Sequence, residues 1–127
     1  MTAPLTSIQL GAQMIADAVS LALPTLPVLT NVVVSIAPPA VVIGPPRLFW
    51  RTYNAGGQPT TGQWNVYLVV SMNQYAQDTL LAMMPQLCSA IEVGTPGVIL
   101  SSGPGIYPSP QGGLPCYTTT VQIELHS

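Results

Sequence analysis

Charge is what this sequence has least of. Asp17, Arg47, Arg51, Asp78, Glu92 and Glu124 are the whole inventory, 5% of 127 residues, against about 25% in ordinary globular chains. With two arginines and a net charge of −2 there is no electrostatic footprint for nucleic acid, because counterion release needs several Lys or Arg side chains. A free monomer usually stays soluble by charge. Here Ser, Thr, Asn, Gln, Gly and Pro take that place, which implies a surface covered by neighbours or making uncharged contacts.

Other scarcities exclude further classes. Two cysteines, Cys88 and Cys116, are too few for a disulfide scaffold, and their spacing fits no metal motif; they read as small buried apolar side chains. The one histidine, His126, is next to the last residue and lacks the partners that a triad or metal site requires. The uncharged stretch between Asp17 and Arg47 is interrupted by Pro24, Pro27 and Asn31 and has no basic flank, so no membrane span is expected there, and no signal peptide before it. Asp17, Asp78 and Glu92 read as solvent-facing or interface carboxylates rather than a pair across a cleft. No catalytic residue, cofactor or metal ligand is expected, and the chain does not read as an enzyme.

What is present is patterning. The length suits one domain, residues 1–127. After a cap at Thr6 or Ser7, Ile8, Gly11, Ala12, Ile15, Ala18, Val19 and Ala22 form a helical stripe that Pro24 ends. Val28 to Ala37 is β-branched and predicts a strand; Ala40 to Ile43 predicts a short second one. Arg47 to Tyr53 predicts an extended segment with Leu48, Trp50 and Thr52 on one face and Arg47, Phe49, Arg51 and Tyr53 on the other. Residues 54–62 predict a long loop. Gln63 to Asn73 alternates cleanly, with Trp64, Val66, Leu68, Val70 and Met72 opposed to Asn65, Tyr67, Val69, Ser71 and Asn73. Asn73 then caps a second helix with apolar Leu80, Leu81, Met84, Leu87, Cys88 and Ile91, kinked at Pro85 and ended by Gly94. Val98 to Leu100 predicts a short strand, and residues 103–113 a second long loop. The last strand, Leu114 to His126, sets Tyr117, Thr119, Val121, Ile123 and Leu125 against Cys116, Thr118, Thr120, Gln122, Glu124 and His126: one core face, one polar face with hardly any charge. The order α-β-β-β-α-β-β predicts an α+β fold, a mostly antiparallel sheet with two main helices packed on one face.

The stretch PPAVVIGPPRLFW (38–50) poses a separate question. A phosphate-gripping turn would need N–H donors that Pro45 and Pro46 lack. A polyproline ligand would leave four apolar residues unused. A short buried strand between proline stops fits best. It delivers Arg47 and Arg51, the only cations, to one face of the following segment. Two readings fit these arginines equally: ordinary surface residues, or intersubunit anchors to a neighbour's carboxylate. The candidate intersubunit contacts are therefore Arg47, Arg51, Asp17, Asp78, Glu92 and Glu124.

The succession of an amphipathic N-terminal helix, PPAVVIGPP, the tryptophan-led WNVYLVVSMN, the helix QDTLLAMMPQLCSAI, a Gly/Pro-rich loop with Tyr107-Pro108 and a closing YTTTVQIEL resembles the head–tail connector proteins of long-tailed phages of actinobacteria. It is most similar to their tail terminators. The resemblance spans nearly the whole chain and rests on element order and a loose PP-x-V-x-x-G-P-P pattern. It implies a hexameric ring that caps the tail tube, contacts the major tail tube protein on one side and the head connector or stopper on the other, and leaves a lumen through which DNA passes without specific binding. The implied location is the head–tail junction of the virion, assembled in the host cytoplasm. Another connector, such as a stopper, or a minor tail protein is the alternative. A small peptide-binding module with one apolar groove belongs to a different class.

Overall fold

The computed structural model describes residues 7–29, 39–50, 60–71, 73–108 and 112–124. Thr6, Asn31, Ser35, Arg51, Met72, Leu125 and His126 lie outside these, as do residues 30–37 of the strand predicted over Val28–Ala37 and most of the loop predicted over 54–62. The elements are α1 (Ser7–Ala22), β1 (Val28–Leu29), β2 (Ala40–Ile43), β3 (Arg47–Phe49), β4 (Thr61–Val69), α2 (Ala76–Gly94), β5 (Val98–Tyr107) and β6 (Leu114–Glu124). The sheet runs β1-β2-β4-β6-β5, with β3 also on β4. Only β1 with β2 is a parallel pair; the others are antiparallel. The α+β class is as the sequence predicts, with one more strand before α2.

That extra strand comes from the prolines. Ile43 pairs with Val66 and Arg47 with Gln63, so Gly44, Pro45 and Pro46 stand against only two residues of β4. The Gly44 N–H still reaches the Asn65 carbonyl, at 2.9 Å. Pro45 and Pro46 have no N–H to pair, so the ladder breaks and β2 and β3 become two strands along one side of β4. PPAVVIGPPRLFW is thus a strand with an internal stop, and β2 is wholly buried.

Both helices pack on one sheet face. The core joins Ile15, Ala16 and Val19 of α1 and Leu80, Met84, Leu87 and Ile91 of α2 to Val41, Ile43, Trp64, Val66, Leu68, Val121 and Ile123. Trp64 is the largest buried side chain, and two glycines make its slot. A Cβ at Gly11 or at Gly62 would stand 2.6 Å from the indole ring. Gly11, on the predicted helical stripe, therefore lets α1 lie on the tryptophan. Gly94 does the same for the helix pair, since its Cβ would stand 2.8 Å from that of Ala18. Leu81 and Ala22, predicted on the apolar faces, are exposed, because each faces away from the sheet.

Helix α2 runs unbroken through Pro85. An interior proline costs about 3 kcal/mol relative to alanine. Burying Leu80, Leu87 and Ile91 contributes about 1.5–3 kcal/mol each, so packing outweighs the proline. Asn73 does not cap the helix in the strict sense. Its Oδ1 accepts the Tyr75 N–H at 2.8 Å, a turn that leads into α2, and the Tyr75 cap position has no side-chain bond. At the other end, Thr95 Oγ1 donates to the Ile91 carbonyl (2.6 Å) and accepts the Gly97 N–H (3.0 Å).

Strand boundaries differ from expectation in β3, β4 and β5. Strand β3 ends at Phe49, short of the predicted Tyr53. Strand β4 begins at Thr61, inside the predicted loop, and ends at Val69 rather than Asn73. Strand β5 continues through Gly103, Pro104 and Gly105 to Tyr107, where a loop is predicted. It is an edge strand laid along β6 from Leu114 to Gln122, and an edge tolerates proline because the missing N–H can face outward. The remaining turn uses Gly112 at φ 114°, a left-handed conformation suited to glycine.

Candidate functional site

The face of the sheet away from the helices is the most distinctive surface. The alternation read in the last strand holds: Thr119, Val121 and Ile123 point to the helices and are buried, while Cys116, Thr118, Thr120, Gln122 and Glu124 share the other side. The register sets Thr61 opposite Glu124, Gln63 opposite Gln122 and Asn65 opposite Thr120. Each pair is hydrogen-bonded across the strands. Thr61 Oγ1 donates to Glu124 Oε2 at 3.3 Å, Gln63 Nε2 to Gln122 Oε1 at 3.0 Å, and Thr120 Oγ1 to Asn65 Oδ1 at 3.1 Å. Such pairs stabilise a sheet by roughly 0.2–1 kcal/mol apiece. They also occupy part of each other's bonding capacity, so the face presents polar groups already engaged. Among its described residues the charges are Arg47 and Glu124, both toward one end.

The other end of this face is apolar. Val42, Val69, Cys116 and Tyr107 form a second buried cluster, with Leu29, Tyr67 and Leu114 against it. The Tyr67 and Tyr107 rings meet edge to face, 5.5 Å between centroids. Beside them is a hollow of about 300 Å³ lined by Val42, Gly44, Pro45, Tyr67, Tyr107 and Pro108. Burial pushes the Tyr107 hydroxyl up from its ordinary value, with Tyr67 and Cys116 adding to it. Burial likewise pushes up the Cys116 thiol, partly offset by a hydrogen bond with Thr118. Cys88 is raised by burial first and then by Glu92 one turn on. Both cysteines are free thiols.

Of the six charged residues predicted as contacts, the five described ones are not gathered into one site. Arg47 is exposed in β3, its guanidinium carbon 5.6 Å from the centre of the Phe49 ring. Asp17 is exposed on α1 and accepts a bond from Gln13 Nε2 at 2.8 Å. Asp78 is exposed in the first turn of α2, where the helix dipole favours a carboxylate. Glu92 is exposed in its last turn, and Glu124 closes β6. Arg51 falls outside the described residues. Among the described residues no three His, Cys, Asp or Glu side chains are grouped so as to hold a metal ion. Likewise no described helix is long and apolar enough to cross a membrane.

The Tyr67–Tyr107 contact has no signal in the sequence, because the glycine and proline content of residues 103–113 predicts a loop around Tyr107. It also missed large apolar side chains left outside: Leu21 and Val93 are 87% and 86% exposed, and Ile106 is 71% exposed. The first two border a shallow hollow between the C-terminal parts of α1 and α2. The sequence matches no protein-family model and no curated protein.

Proposed function

We propose that this chain is a structural virion subunit of the tail terminator kind. Copies assemble into a ring, hexameric by the resemblance, that caps the tail tube and joins it to the head connector. DNA passes through the lumen without specific binding. The observation that carries this reading is the sheet face with the Thr61–Glu124, Gln63–Gln122 and Asn65–Thr120 ladder. A wall of mutually bonded side chains, neutral apart from Glu124 with Arg47 at the same end, offers a passing polyanion neither a set of cations to release its counterions nor a row of carboxylates to repel it. The near absence of charge on the whole chain fits a subunit whose flanks are covered by its neighbours.

Light scattering of the purified protein tests the reading. The expected mass is several times 13.3 kDa and stable on dilution into the micromolar range. A monomer at high concentration would overturn it. The Tyr67–Tyr107–Pro45–Pro108 hollow favours the second reading, a peptide-binding module, since aromatic and proline rings line grooves for extended proline-containing segments. That reading requires the monomer.

A further inference from the structure

We infer that the hollow beside Tyr67 and Tyr107 binds an uncharged, proline-bearing segment of another protein, whose backbone carbonyls accept hydrogen bonds from the two tyrosine hydroxyls. This goes beyond the ring reading, which gives the hollow no role. It rests on the second reading for the class of segment, but the site itself needs no monomer, since a ring subunit has the same hollow.

Tyr67 reaches from β4 over the end of β2. Its Cε2 lies 3.3 Å, and its hydroxyl oxygen 4.0 Å, from where a Cβ at Gly44 would stand. Tyr107 meets it from β5, edge to face, and is only 7% exposed. No hydrogen bond joins either hydroxyl to a described residue. Buried tyrosines usually find a partner for that group. Among the described side chains, only Trp64 Nε1 is both unbonded and sealed from solvent. The Tyr107 hydroxyl is therefore unbonded yet open, on a nearly buried side chain, and the opening that both rings line is the hollow. Burial keeps this hydroxyl protonated beyond its ordinary range, so it is a donor at neutral pH.

The wall selects the occupant. From Gly44 to Pro46 no backbone N–H is free: that of Gly44 donates to the Asn65 carbonyl at 2.9 Å, and Pro45 and Pro46 have none. A strand added at this wall would find no backbone donors for its carbonyls. The phenols supply donors from side chains instead. A proline-bearing segment is the complement. It stays extended without internal hydrogen bonds, its prolines bring no N–H, and its carbonyls are free to accept. Its rings meet Pro45, Pro108 and the two tyrosines, the aromatic-lined setting in which such segments dock. Ile106, 71% exposed, adds apolar surface at the rim. No lining residue is charged, and Arg47 and Glu124 lie toward the other end of the sheet face. A charged side chain entering the hollow would lose water and gain no counter-charge. At about 300 Å³ the hollow is at the small end for ligand sites, which suits a short segment rather than a folded element.

Isothermal titration calorimetry of the full chain with a capped octapeptide of alternating alanine and proline tests this. Two comparison octapeptides carry serine in place of proline, or glutamate in place of alanine. The alanine–proline peptide should bind saturably in the micromolar range, and each comparison peptide about threefold more weakly or worse. Tyr67→Phe and Tyr107→Phe keep the rings and remove only the hydroxyls. Each should stay folded by circular dichroism and bind the peptide roughly threefold to tenfold more weakly, the worth of one hydrogen bond. Absence of saturable binding, equal binding of either comparison peptide, or unchanged binding by both variants overturns the site. Light scattering of the same samples separates the readings. A ring that does not bind leaves the ring reading standing and removes this site. A ring that binds keeps the site and removes the free-standing module. A monomer that binds keeps the site and removes the ring, and a monomer that does not bind removes both.

Discussion

At the residue scale the fold turns on how two glycines accommodate one tryptophan. Gly11 and Gly62 approach the Trp64 indole from a helix and from its own strand, and neither position has room for a methyl group. The Trp64 Nε1 hydrogen has no partner among the described residues, an expense that buried indoles usually avoid. Shape therefore holds Trp64 in place. Gly62→Ala should destabilise the chain by about 1–3 kcal/mol in urea titrations, the usual range for overpacking. At Gly11, alanine raises helix propensity by about 1 kcal/mol, so a net loss at that site would isolate the steric cost. The titrating groups make a second residue-scale prediction. Cys88, Cys116 and Tyr107 all have their protonated forms favoured by folding. Each contributes stability that is complete below the unfolded value, 9.0 for the thiols and 10.0 for the phenol, and is lost as pH rises through the raised folded value. Denaturation midpoints should be unaffected by these groups between pH 7 and about 8 and fall above about pH 9. Cys116→Ala should flatten part of that fall.

Elements were legible where one period dominates. From Thr119 to Glu124 the two sides of β6 alternate between buried and more exposed residues, and β4 does so around Trp64, so both faces could be assigned from sequence. Strand β5 was only partly legible. Gly103, Pro104 and Gly105 carry loop composition, and they are extended because β6 offers a paired template, Leu114 to Gln122, beside them. Half of the polar ladder could be read from Thr120, Gln122 and Glu124, but not their partners. Those depend on a register that single-strand patterns do not encode. That α2 continues as one element through Pro85 is as the sequence predicts, and packing explains it, since the buried side of the helix is intact. Pro85 is exposed, so Pro85→Ala should restore the bond to the Leu81 carbonyl and stabilise the protein by about 1–3 kcal/mol. A loss of stability on that substitution would mean that Pro85 makes contacts the helix needs more than the bond.

At the scale of the whole molecule the low charge becomes intelligible. Helices cover one side of the sheet, a bonded ladder whose one charge is Glu124 occupies part of the other, and the other described charges lie on the two helices and on β3. A solitary molecule gains little from that distribution. A subunit with neighbours at its edges and a polyanion passing its open face gains a great deal. The ring reading fixes the orientation of the sheet, and electron cryomicroscopy of the purified assembly reads that orientation directly. The account predicts closed rings with Gln63, Asn65, Thr120 and Gln122 facing the central hole and both helices on the outer wall. Particles of single-chain size, or rings with the helices facing the hole, would contradict it.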